Sequence, residues 1–353
     1  MLIQARLVYA LATVGHVRAI QYLGRVNPNT KELTWPGTGV SFTFSGTTAT
    51  ISISASGANS ADLIVDGAIT TILNVAGTSI STAKLPRGNH TVELRRRSET
   101  QYGTITIGNI TTDGTFNADV LPKRKIEIVG DSISVGYGLD GVNPCTNTAA
   151  VEDNPKTFGA LTAKALNASY SVVAWSGKGL TRNYITVDPD TSPIMPQYWT
   201  RYGANDADNS YTFPSSATPD VVVINLGTND FSYIAYDSAG QPYNARALLN
   251  ATVFASAMVS FVQTVQKKYV KAHVFLMTSP MLSDGYPSAA EAQKSTQRNA
   301  LAAATARLGG EKVHLVEWAT QGADVGCDYH PNAATHAAGA MVLLQAVKGV
   351  MGW

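Results

Sequence analysis

The hydrophobic period of the chain changes near Pro122, and few folds satisfy both patterns. Upstream, Val40, Phe42 and Phe44 alternate with Ser and Thr, as do Ile51 and Ile53, Val92 and Leu94, and Ile105 and Ile107. Leu63–Val65 and Ala68-Ile69 flank Asp66-Gly67, the signature of a tight hairpin. Short period-two segments without a helical stretch predict an all-β sandwich or jelly roll over residues 17–119. Downstream, continuous apolar runs alternate with helical ones. Strands are expected at Lys125–Val129, Ser171–Ala174, Asp220–Leu226, His273–Met277 and Lys312–Val316, and helices at Phe158–Asn167, Ala251–Tyr269, Ala289–Leu308 and Ala333–Val350. A run such as Val221-Val222-Val223-Ile224 suits a parallel strand buried on both faces. Residues 123–353 therefore read as a three-layer α/β/α, doubly wound domain with a parallel sheet.

Strand exits and one late loop in this second half deliver reactive residue types. Ile126–Val129 runs into Gly130-Asp131-Ser132; Asp220–Leu226 runs into Gly227-Thr228-Asn229-Asp230; Asp328-Tyr329-His330-Pro331 precedes the closing helix. A serine hydroxyl needs a base to take its proton, so Ser132 as nucleophile requires His330 as base. Asp328 is the candidate orienter of that imidazole, against the plain reading of an exposed loop acid. Glycine at 177 lets a main-chain amide approach a substrate oxygen, and Asn229 offers a side-chain amide. With the amide of Ser132 they form a candidate three-donor oxyanion hole. Position 134 is Ser, so the segment is not the Gly-x-Ser-x-Gly elbow. Gly136-x-Gly138-x-x-Gly141 matches a dinucleotide fingerprint formally, but it runs into Asn143-Pro144 and lies beyond the strand-to-helix turn that such a fingerprint requires.

Composition limits the partners. The net charge of +1 gives no field to gather nucleic acid or an anionic membrane, and neither is expected as a partner. Arg95-Arg96-Arg97 is the one dense basic run and reads as solvated residues finishing a strand. Cys145 and Cys327 lack metal-ligand spacing. Both should lie at the same end of the sheet; a disulfide is expected if the protein is exported, two buried thiols if not. Arg6 and Leu7–Gly15 form a thin candidate leader over 1–16, and four Asn-x-Ser/Thr sequons are compatible with secretion.

Gly130-Asp131-Ser132, Gly177, Gly227-x-Asn229-Asp230 and His330 resemble, in order and spacing, the four blocks of the SGNH (GDSL-type) hydrolases. The β-rich half, Trp175–Gly179 and Asp328–Asn332 are similar to carbohydrate esterase family 2, which pairs a jelly roll with an SGNH domain and deacetylates plant polysaccharides such as xylan and glucomannan. The resemblance implies a secreted serine esterase acting through an acyl-enzyme on Ser132, without metal or organic cofactor. Its partner would be an acetylated polysaccharide or oligosaccharide, and the enzyme is expected to be a monomer. Most SGNH enzymes place the acid three residues before the histidine, where this chain has Cys327. Asp328 stands where some family 2 members carry theirs, while others leave the imidazole to a main-chain carbonyl. Trp175, Tyr137, Tyr329 and Phe231 are candidate sugar-stacking residues, with aromatic core packing as the alternative. Two other readings remain open, a lipid-directed GDSL acyl-hydrolase and a non-catalytic carbohydrate-binding protein.

Overall fold

The computed structural model describes residues 19–118, 121–186, 190–207 and 209–353. The candidate leader, and the residues 119–120 at the domain boundary, lie outside that set. The first half is a sandwich of two antiparallel sheets. One runs in the order Ile20–Leu23, Gly39–Gly46, Gly88–Arg96, Ala61–Val65, Ala68–Ile72, with Thr115–Asn117 also pairing to Gly39–Gly46. The other runs Glu32–Leu33, Ile105–Thr112, Ala49–Ala55, Ser79–Ser81. The predicted alternation is the burial pattern: Val40, Phe42, Phe44, Ile51, Val92, Leu94 and Ile105 fill the space between the sheets, while Ser41 and Thr43 face outward. Asp66-Gly67 forms the expected two-residue hairpin, with Val65 paired to Ala68.

The second half is a five-stranded parallel sheet ordered Ala168–Ala174, Arg124–Gly130, Val221–Asn225, His273–Met277, Val313–Val316. Helices Ala251–Lys268 and Gln293–Leu308 cover one face, and Phe158–Ala165 and Ala333–Met351 cover the other. The chain leaves Arg124–Gly130 toward one sheet edge and later returns to its other side. The C-terminal end of that strand is therefore the switch point, where an open α/β sheet leaves a crevice for ligand. Ser132 sits there.

The arginine run corrects the sequence expectation. Arg95, Arg96 and Arg97 are buried where the two halves meet, none of them more than 9% exposed. Arg96 donates to the carbonyls of Leu33, Ser98, Glu99 and Gly103. Arg97 pairs with Asp153 at 2.9 Å, with Asp140, and with Asp62 at 3.6 Å. A second buried tie joins Arg25 of the sandwich to Glu127 in the parallel sheet at 2.8 Å, and Glu127 also accepts from Trp199 Nε1. Buried charges persist only when paired, and these pairs hold the halves in one orientation.

Candidate active site

Ser132 opens a single helical turn, Ser132–Val135, directly after its strand. Asp131 caps that turn by accepting from Ile133 N–H at 3.0 Å, and Gly136, at φ +88°, closes it in the left-handed region that glycine tolerates. The tight turn holds the hydroxyl above the sheet edge. The glycines at 138 and 141 serve close packing and no phosphate loop: a Cβ at Gly141 would lie 2.1 Å from Cys327 Sγ. Cys145 and Cys327 are joined in a disulfide, which ties the segment after Ser132 to the segment before His330.

His330 Nε2 lies 2.9 Å from Ser132 Oγ. Its Nδ1 lies 3.0 Å from the main-chain carbonyl of Asp328. A carbonyl only accepts, so Nδ1 carries the hydrogen, Nε2 is the free base, and the serine hydroxyl donates to it. This is a correction to Asp328 as an orienter through its acid group. The Asp328 carboxylate instead accepts from Tyr137 OH at 3.0 Å and from Asn147 N–H at 2.8 Å. Asp328 and Tyr329 both have positive φ, +51° and +62°, a cost of roughly 1 kcal/mol or more for each non-glycine residue. The side-chain anchors of Asp328 and the neighbouring disulfide hold that turn, which aims the carbonyl at the imidazole.

Burial pulls the His330 pKa down to about 4, with the Asp328 carbonyl opposing the shift. A base is active when unprotonated, so activity should stay level from neutral pH to about pH 5 and fall as pH passes through the imidazole value. A pH profile of kcat/KM checks this; an acid limb centred near 6.5, the free-histidine value, would contradict it.

Gly177 adopts φ +78°, a conformation open to glycine, in a loop fixed by three contacts. Ser176 N–H donates to Glu99 of the sandwich at 2.8 Å, Tyr184 N–H donates to Gly177 O at 2.7 Å, and Asp230 takes the N–H groups of Leu180 and Thr181. Asn229 lies in the turn Thr228–Phe231 beyond the third strand of the chain order. Its Nδ2 donates to Lys178 O at 2.8 Å and more weakly to Asp131 at 3.4 Å, which places the amide between the nucleophile turn and the Gly177 loop. Burial raises the pKa values of both Asp131, to about 7, and Asp230. The scaffolding roles of Asp131, Asp230, Asn147 and Glu99 were not read from the sequence. The first two stand inside recognised motifs, while the last two carry no local signal.

The aromatic candidates separate. Phe231 is 4% exposed and packs on Phe254 in the core, so it is no sugar platform. Trp175 is half-buried against Tyr198, and Tyr137 lies with its ring centroid 4.2 Å from that of His330. Tyr329 is 69% exposed at the rim. Among the described residues, no three His, Cys, Asp or Glu side chains are grouped to hold a metal ion.

Comparison with known proteins agrees with this arrangement. The carbohydrate esterase 2 N-terminal model matches residues 22–119, and the GDSL-like lipase/acylhydrolase family model matches residues 128–338. The chain is 33% identical over 354 aligned residues to the cellulase/esterase CelE of Acetivibrio thermocellus, covering 95% of this chain but only 40% of that protein. It is also 33% identical to an acetylxylan esterase / glucomannan deacetylase of Cellvibrio japonicus, covering 85% of this chain and 80% of the relative. The crystal structure of a carbohydrate esterase family 2 enzyme with its carbohydrate-binding domain, from Corynascus thermopiles (Myceliophthora fergusii), matches with a TM-score of 0.90 and 62% identity, covering 95% of this chain and all of that one. The chain belongs to the GDSL-like hydrolases, within carbohydrate esterase family 2, and is a carboxylic ester hydrolase.

Proposed function

We propose that the protein removes acetyl groups from a plant cell-wall polysaccharide, xylan, glucomannan or a related chain, through an acyl-enzyme on Ser132. The observation that carries this reading is the Ser132 Oγ to His330 Nε2 distance of 2.9 Å, with Nδ1 held by a carbonyl. His330 takes the serine proton as Oγ attacks the acetyl carbonyl, and the same proton then goes to the departing sugar oxygen. In this reading the main-chain amides of Ser132 and Gly177 take the developing oxyanion, joined by Asn229 Nδ2 when it gives up its long 3.4 Å contact to Asp131. Water, deprotonated by the same imidazole, attacks the acetyl carbon, releases acetate and restores Ser132. Asp328 serves through its carbonyl, and its carboxylate holds the turn. Exposed Tyr329 offers a face for a sugar ring at the rim. The disulfide supports an exported enzyme.

The test is a series of esters of increasing acyl length beside acetylated xylan and acetylated glucomannan, with released acid measured. Acetyl should be preferred over butyryl by about tenfold or more, on the usual scale for extra methylenes in a confined acyl site. Rates that rise with chain length would move the substrate to lipids. Binding to the polysaccharides without any acid release would leave only a carbohydrate-binding protein.

A further inference from the structure

Both loops of the site hang from one buried pair of carboxyl groups, one from each half of the chain. Glu99, at the end of the sandwich, accepts the N–H of Ser176 at 2.8 Å, one residue before Gly177. Glu152, from the α/β half, accepts from Asn147 Nδ2 at 2.8 Å. Asn147 in turn receives Gly138 N–H on its side-chain oxygen at 2.7 Å and gives its own N–H to Asp328 at 2.8 Å. Asp328 then presents its carbonyl to His330. The two acids are themselves joined: Glu99 N–H donates to Glu152 Oε2 at 2.6 Å. Neither side chain has measurable exposure.

We infer that Glu99 and Glu152 are positioning residues, a single carboxyl pair that sets the oxyanion loop through Ser176 and the histidine loop through Asn147 and Asp328. The inference rests on the esterase reading above. It gives the sandwich a part in the chemistry, because the acid that fixes the Gly177 loop belongs to that domain.

Two buried carboxyl groups held this close raise the cost of ionising one another. Burial raises both, and the charge of Glu99 pushes Glu152 further up. The charged or titratable neighbours are Arg96, whose guanidinium attracts both acids, Tyr102, which burial and the two acids hold protonated, and Tyr137 with Asp328 farther along the chain of contacts. Ionisation of both acids as pH rises would set two buried anions against one arginine, straining the contacts from which both loops hang.

The experiment compares native enzyme with Glu152→Gln, Glu152→Ala and Glu99→Ala by acetate release from a soluble acetyl ester, with kcat and KM measured across pH and folding checked by circular dichroism. Glutamine keeps the size and one acceptor oxygen of Glu152 but has no proton to lose. Glu152→Gln should therefore lose less kcat at neutral pH than Glu152→Ala and lack the alkaline fall expected of the native enzyme. The alanine variants should lose about ten- to a hundredfold in kcat, the scale of an ångström-level misplacement, with KM little changed. Native kcat in both alanine variants, or an alkaline limb unchanged in Glu152→Gln, overturns the inference. If the alanine variants fail to fold, the alkaline limb of Glu152→Gln decides alone. Ser132→Ala separates the levels: if it is inactive while the alanine variants are not, only this inference falls, and if it is active the esterase reading falls first.

Discussion

Ser132→Ala and His330→Ala should each lower kcat on an acetyl ester by about 10⁴-fold or more, whereas Asp328→Ala should lower it by only about ten- to a hundredfold. The first two remove the nucleophile and the base, which act as one unit, so the double variant should be scarcely worse than either single one. Asp328 contributes differently. Every residue has a carbonyl, so alanine at 328 retains the group that accepts from His330 Nδ1. What it loses is the grip of Tyr137 OH and Asn147 N–H on the carboxylate, together with the tolerance of Asp for φ +51°. Asp328→Asn keeps both an acceptor and that tolerance, and should recover most of the loss. Steady-state kinetics and pre-steady-state burst amplitudes on the five variants check this. If Asp328→Ala were as inactive as His330→Ala, the carboxylate itself would have to back the imidazole in the working enzyme, and the carbonyl contact would not be the operative one.

Ser132, Gly177 and Asn229 were legible because each follows an apolar strand, and His330 because it stands in a late loop just before the closing helix. A continuous run such as Val221–Ile224 announces a buried parallel strand, and the polar residue that ends it then falls at the sheet edge. The turns Ser132–Val135 and Thr228–Phe231 were not foreseen as helical, since four residues hold barely one turn and no repeat to detect. The helix expected from Ala289 begins at Gln293, because Ala292 takes a left-handed conformation that precludes an earlier start. The residues alone did not decide the group behind the histidine, leaving Asp328 and a main-chain carbonyl both open. A main-chain carbonyl has no residue identity to betray it, and the side chains that position it are brought together from residues 99, 147, 152 and 328 only by the fold. One signal was available and unused. Arg96 stands in phase with His90, Val92 and Leu94, the inward-facing residues of its strand, so the alternation that located the core also predicted a buried arginine. In the same way Glu127, a lone charge within Ile126-Glu127-Ile128, marks a partner, which is Arg25.

Arg97→Ala should destabilise the fold by about 3–5 kcal/mol, the usual cost of removing one partner from a buried charge cluster. Its guanidinium is 2% exposed and faces Asp62, Asp140 and Asp153, of which Asp62 and Asp153 are themselves buried. Lys156 reaches Asp140 at 2.7 Å and Asp153 at 2.9 Å, but it comes from the solvent side, and half of its side chain remains exposed. It can compensate only in part. The loss would consume about a third or more of the 5–15 kcal/mol that holds a typical domain folded, so it should be plain in denaturant unfolding. The deficit should also depend on pH in a definite direction. Burial pushes the Asp153 carboxyl upward, yet Arg97 and Lys156 outweigh that and hold it below the ordinary value. A depressed acid stabilises the native state above its unfolded pKa of about 3.9, and that contribution is lost as pH falls through the lower folded value. The gap between native and Arg97→Ala should therefore be full at pH 7 and narrow progressively below about pH 4. A deficit under about 1 kcal/mol at pH 7, or one that widens in acid, would mean that the cluster is not what binds the sandwich to the catalytic half.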